Sequence, residues 1–302
     1  MMRVGGGGEG GAGRFGLHAL GIGTGAQPSV IRAVSAAAEE TGFATLWSGE
    51  HVVMVDQPAS RYPYSADGQI AVPADADWLD PLLGLTYAAA VTTRIGLATG
   101  ILLLPEHNPV LAAKQIATLD VLSEGRLTLG VGTGWSAEEF AALGIPFARR
   151  AQRAAEYVAA MRTLWSADAA SFSGEFTEFD RVRVYPKPVR DRRIPVVFGG
   201  NSDAALRRVA AIADGWYGFS LTAAQAAERI GLLARYCDER GRSMSDLTIA
   251  IALTDGRPGM LAELAQGGVT ELVLVGAPPA APAAAADWVA QLASEWGARS
   301  SS

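Results

Sequence analysis

Cysteine is almost missing from this sequence, with Cys237 the only one in 302 residues. That excludes a disulfide framework and a cysteine metal site, and it suits a reducing cytoplasm. Lysine occurs only at Lys114 and Lys187, and histidine only at His18, His51 and His107. No two of these histidines have metal-ligand spacing, so no metal is expected. No apolar run approaches the roughly 18 residues of a membrane span. The opening stretch "MMRVGGGGEGGAG" lacks the apolar core of a signal peptide. A net charge of −6 leaves no basic face for a general nucleic-acid binder. A locally positive site for an anionic small ligand stays open.

What is present is a regular alternation. "RFGLHAL" (14–20) and "FATLWS" (43–48) read as strands, and between them 29–42 carries apolar residues at helical spacing. "RIGLATGILLL", "RLTLGVG", "IPVVFGG", "GWYGF", "LTIAIAL" and "TELVLVG" supply six more strands. Helices are expected near 80–92, 109–124, 136–143, 147–165, 202–212, 222–240, 258–266 and 283–297. Asn108 caps one of them, with Pro109 at its first position. Eight short apolar strands with helices between them predict an α/β fold, a (β/α)8 TIM barrel. Residues 1–13 read as a flexible Gly-rich leader and 14–302 as one barrel domain. A long loop (52–80) follows strand two, a short β excursion (170–189) precedes strand five, and "PPAAPAAAA" (278–286) reads as a loop leading into the last helix.

Active sites of such barrels lie at the C-terminal ends of the strands. There the sequence places His18, Glu50-His51, Thr99-Gly100-Ile101, Gly132-Thr133-Gly134, Gly199-Gly200-Asn201 and Trp216-Tyr217. His51 can change charge near neutral pH, and the adjacent Glu50 could orient it. A histidine that only satisfies loop hydrogen bonds fits the same position. His18 reads as a pocket wall and His107 as a loop residue. The Gly199-Gly200 turn opens a helix and suits a phosphate, although Asn201 or Ser202 could simply cap that helix, and Asp203 would repel a close phosphate. "GVGTGW" fails the dinucleotide fingerprint, which excludes a nicotinamide Rossmann site. Ser136 and Glu139 have capping-box spacing, so Glu139 reads as structural.

The stretches "GFATLWSGEHVV", "SRYPYSADGQIAVPADADWLDPL", "TTRIGLATGILLLPEHNPVLAAKQIATLDVLSEGRLTLGVGTGW" and "PKPVRDRRIPVVFGGNSDAALRRVAAIADGW" together resemble the luciferase-like monooxygenase superfamily. "GVGTGWSAEEFAALGIPFARR" is most similar to its F420-dependent oxidoreductase subgroup. The resemblance implies a barrel oxidoreductase using coenzyme F420, an 8-hydroxy-5-deazaflavin. It makes Glu50-His51 the acidic-His pair facing the cofactor ring, His51 acting as acid or base. It implies a cis peptide at Gly100-Ile101 and places Thr99, Gly132, Thr133, Gly134, Gly199, Gly200 and Asn201 along the cofactor. His18, Trp135 and Trp216 become substrate-pocket residues. Sugar-phosphate dehydrogenases of the superfamily carry a glutamate where this chain has Trp135, which argues against a sugar phosphate and leaves His51 without a second acid. Tyr62, Tyr64 and Trp78 of the long loop are expected at the pocket rim. A homodimer is implied. The alternatives are an FMN-dependent monooxygenase with a separate flavin reductase, and a flavin-binding protein without turnover. A cofactor-free lyase would need lysines or metal ligands at the strand ends.

Overall fold

Strand residues sort by alternation into two sets, one facing the barrel lumen and one facing the helices. The computed structural model describes residues 13–298, so the expected leader lies, apart from Gly13, outside the described residues. The first half runs β1 (Arg14–Leu20), α1 (Pro28–Thr41), β2 (Thr45–Ser48), α2 (Pro81–Ala89), β3 (Gly96–Thr99), α3 (Pro109–Leu122) and β4 (Leu127–Val131). Then follow α4 (Ala137–Ala142), α5 (Arg150–Ser166) and the antiparallel pair β5 (Ala170–Ser173) and β6 (Glu178–Val182), which is the expected excursion. The chain returns through β7 (Val196–Gly199), α6 (Asp203–Ile212), β8 (Gly215–Leu221), α7 (Ala223–Asp238) and β9 (Thr248–Leu253). It ends with α8 (Leu261–Gln266), β10 (Glu271–Val275) and α9 (Pro282–Trp296). The last helix starts inside the expected loop because a proline at the first helical position is already set for the helix, and alanines follow it.

The eight remaining strands close a parallel barrel in the order β1-β2-β3-β4-β7-β8-β9-β10, with β10 pairing back onto β1. This is a (β/α)8 TIM barrel. Leu46, Leu97, Leu129, Phe198, Ile251 and Leu272 pack outward beneath the helices. Trp47, Ala98, Val197, Tyr217, Ala250 and Val273 form a separate inner cluster. Within it Trp47 stacks on Tyr217, centroids 4.6 Å apart, and fills the lumen. Below the stack, buried Glu271 accepts from the Trp47 indole at 2.7 Å and from Thr45 Oγ1 at 3.1 Å. Burial pushes its carboxyl up, against the pull of Trp47, Arg14 and Thr45. An acid at that end of a barrel belongs to stability.

Asn108 caps α3 by accepting from the Val110 and Leu111 N–H groups, a cap worth about 1 kcal/mol. The 52–80 loop is tied down at its middle. Glu138 accepts from the amides of Ala59 and Ser60 at 2.8 and 3.1 Å, and Ser220 donates to the Tyr64 carbonyl at 3.3 Å. Among the described residues no helix is long and apolar enough to cross a membrane.

Candidate active site

A cavity of about 610 Å³ opens at the C-terminal ends of the strands. Nearly all the residues expected there line it: His18, Glu50, His51, Gly100, Ile101, Gly132, Thr133, Gly134, Trp135, Gly199, Gly200 and Asn201. Tyr62 and Tyr64 reach it from the long loop. The peptide between Gly100 and Ile101 is cis, as the resemblance implied.

Three expected residues, Trp78, Thr99 and Trp216, do not line the cavity. The Trp78 indole donates to the Gly49 carbonyl at 3.1 Å while its ring packs on His51. Thr99 is fully buried, and its hydroxyl donates to the Gly130 carbonyl at 2.7 Å while accepting from the Gly130 N–H at 2.8 Å. A Cβ on Gly130 would stand 1.9 Å from the Thr99 carbonyl oxygen, so only glycine fits where β3 and β4 approach. Trp216 points out beneath the helices, and its indole donates to the Gly200 carbonyl at 2.9 Å. Its neighbour Tyr217 faces the cavity instead, because successive strand residues alternate sides. The Tyr217 hydroxyl lies 3.0 Å from His18 Nδ1. Burial drops His18 to about 4, so it is neutral at physiological pH.

The expected partnership between Glu50 and His51 is not formed. His51 Nδ1 lies 2.8 Å from Glu139 Oε2, and its Nε2 lies 3.3 Å from the Trp135 indole nitrogen. An indole N–H only donates and a carboxylate only accepts, so the proton sits on Nδ1 and Nε2 presents its lone pair. Trp78 and Trp135 both meet the ring edge to face, at 4.8 and 5.7 Å. The other oxygen of Glu139 accepts from the Val52 and Val53 amides at 2.7 and 3.2 Å. Ser136 does cap the Glu139 N–H, at 3.2 Å, but the carboxylate turns to His51 rather than closing the box. Glu139 is therefore more than a structural cap residue, and His51 does have a second acid despite Trp135.

Glu50 turns the other way. It accepts from the Leu103 N–H at 2.5 Å and holds His107 Nε2 at 3.0 and 3.1 Å. Burial works against the His107 charge, but the hydrogen bond and charge of Glu50 raise its pKa on balance. Close by, Glu106 is buried with neither oxygen hydrogen-bonded among the described residues. Burial, then the charges of Glu139 and Glu50, push its carboxyl up to about 9.

The opposite end of the cavity is positive. Gly200, at φ +107, turns the chain into α6, whose first turn Ser202 caps through the Ala205 N–H at 3.3 Å. Asn201 donates to the Phe219 carbonyl at 2.8 Å, leaving its buried Oδ1 without a hydrogen bond among the described residues. Asp203 is paired with Arg229 at 2.8 Å, which offsets part of the expected repulsion. Arg150 and Arg208 line this end. Arg150 Nε donates to the Gly134 carbonyl at 3.0 Å, whereas Arg208 has no hydrogen bond or ion pair among the described residues. Burial, and then the charge of Arg150, lower the pKa of Arg208. Neither arginine stands out in a sequence so rich in arginine. Glu139 could have been found only by asking what else faces strand two.

Comparison with known proteins agrees with this geometry. The signature of the luciferase-like monooxygenases matches residues 13–254. An uncharacterized protein of Mycobacterium tuberculosis is 37% identical over 259 residues, 85% of this chain and 90% of its own length. The FMNH(2)-dependent dimethylsulfone monooxygenase of Pseudomonas fluorescens is 37% identical over 131 residues, 42% of this chain and 35% of that one. Among solved structures, the coenzyme F420 dependent tetrahydromethanopterin reductase of Methanopyrus kandleri shares the fold with a TM-score of 0.70. It does so at 17% identity, over 94% of this chain and 98% of that one. With barrel, cavity and signature coinciding, the chain belongs to the luciferase-like monooxygenase family.

Proposed function

We propose that this chain is an F420-dependent oxidoreductase that exchanges a hydride with a small organic substrate, with His51 as its acid/base. The observation that carries the reading is His51 itself, its Nδ1 proton held by Glu139 and its Nε2 turned to the cavity rim. The residues at the far end fit a cofactor with an acidic tail. Arg208 has no hydrogen bond or ion pair among the described residues, Arg150 stands beside it, and the N–H groups that open α6 attract an anion. Two cations favour a tail with more than one acidic group, such as a phosphodiester followed by carboxylates. The orphaned Asn201 Oδ1 offers an acceptor.

Bound F420 supplies hydride exchange at C5 of a ring that reacts poorly with oxygen. As a substrate alcohol gives up a hydride and becomes a carbonyl compound, His51 takes its hydroxyl proton on Nε2. In the reducing direction His51 returns that proton to the oxygen. Glu139 keeps the ring in the required tautomer and stabilises the imidazolium. Trp78 and Trp135 shield the ring from water.

A second reading, an FMN-dependent monooxygenase fed by a reductase, is favoured by the local similarity to the dimethylsulfone enzyme. Titrating the purified apoprotein with F420 and with FMN, each followed by its own fluorescence, separates the two. F420 binding at least tenfold tighter than FMN is expected. The reverse order overturns the proposal in favour of the monooxygenase, and binding of neither removes the cofactor reading altogether.

A further inference from the structure

A second cavity, of about 420 Å³, lies on the far side of His51 and Trp135. These two residues line both cavities and form the wall between them. The rest of its lining comes mainly from the long loop: Val53, Met54, Val55, Ile70, Val72 and Ala74 among others. The charges of the two cavities differ sharply. Arg61, Arg150 and Arg208 line the first. The second has no lysine or arginine in its lining, and its charged side chains there are Asp56 and Glu139, both acids.

We propose that this second chamber receives the apolar body of an uncharged organic substrate, whose oxygen-bearing end reaches His51 Nε2 beside Trp135. The proposal rests on the reading of His51 as acid/base and names the substrate class that reading leaves open. The volume falls within the range of small-molecule pockets, about 300–1,000 Å³, and an apolar lining with a few convergent polar groups is their usual make-up. An anion would lose its hydration there beside two acids with no cation to meet it. The dividing wall has the matching chemistry. The Trp135 indole donates to Nε2 at 3.3 Å, so an oxygen that replaces Nε2 as the acceptor of that N–H is held beside His51, within reach for proton exchange. The arginines that suit the cofactor and the cation-free, largely apolar surface that suits the substrate thus lie on opposite sides of one histidine.

Calorimetric titration with acetophenone and with benzoate tests this, since the two have similar shape and differ in charge. At neutral pH acetophenone is expected to bind, and benzoate at least tenfold more weakly. Val72→Trp, which fills the chamber, should weaken acetophenone at least tenfold and change F420 affinity less than twofold. Ile70→Trp fills the same chamber and serves if the first variant does not fold. No acetophenone binding, benzoate binding as tight as acetophenone, or unchanged acetophenone affinity in the filled variants would overturn the proposal. Acetophenone binding in the expected pattern without any F420 binding would sink the cofactor reading and leave the chamber standing.

Discussion

Two histidine–carboxylate pairs lie side by side, His51 with Glu139 and His107 with Glu50. Each joins one member of the adjacent Glu50-His51 couple to a distant part of the chain. In the first pair the imidazole has one nitrogen on the acid and the other at the cavity rim. In the second, Glu50 spends both oxygens on His107 and the Leu103 amide, closing the turn before α3 over the end of β2. The difference lies in what the imidazole faces, since His51 lines the cavity and His107 does not. Glu139 orients a ring whose Nε2 accepts from the Trp135 indole at the cavity rim, while Glu50 completes a local structure. Neighbours leaving a strand point to opposite sides, so adjacency in sequence implied a pairing that the geometry divides.

The sharpest way to break this contrast is to remove the imidazoles in turn. His51→Ala is expected to lower kcat by roughly 10²–10⁴-fold with F420 affinity retained, while His107→Ala leaves kcat near the wild-type value. Steady-state rates followed through F420 absorbance, beside fluorescence titration, check both; equal losses would erase the distinction. Next in size, Glu50→Ala strands His107 and the Leu103 amide and should cost about 3–5 kcal/mol in urea denaturation, with kcat little changed. Glu139→Gln reverses that balance. Its expected effect is a fall of about 10–100-fold in kcat, the scale of losing a partner that orients a functional histidine, with a smaller loss of stability.

The smallest effect concerns Glu106, which touches both pairs electrostatically. Its folded carboxyl is held up near 9, above the unfolded value near 4.5. Between those values the unfolded chain has released a proton that the folded chain keeps, so stability falls as pH rises through that window. Glu106→Gln has no such proton to lose. Its Tm should exceed the wild-type value by at least about 2 °C near pH 8 and converge with it below about pH 4. A constant offset across pH would show that Glu106 is not the neutral acid between the pairs.

Much of this molecule was legible beforehand because its signals are local. Alternating strands and helices, the Asn108-Pro109 cap and the glycine turns at 132–134 and 199–200 each mark their place within a few residues. The His51 position followed from a strand end and a rare residue type. Three features escaped for identifiable reasons. Trp216 and Tyr217 differ by one step of strand alternation, and the bulkier aromatic turned out to face the helices. Glu139 satisfied a local capping pattern, while its partner lies 88 residues away in the chain. Arg150 and Arg208 become a pair only when two distant segments fold over the same strand ends.

The double grip of Glu139 ties a chemical event to a mechanical one. One oxygen holds the His51 ring and the other holds the first two amides of the long loop. When His51 takes up a proton, the carboxylate is drawn more strongly to the ring, and its hold on those amides changes with it. The amides of Val52 and Val53 therefore act as built-in reporters of the imidazole's charge. Their hydrogen-exchange rates should differ between the wild-type protein and Glu139→Gln, even with no substrate present.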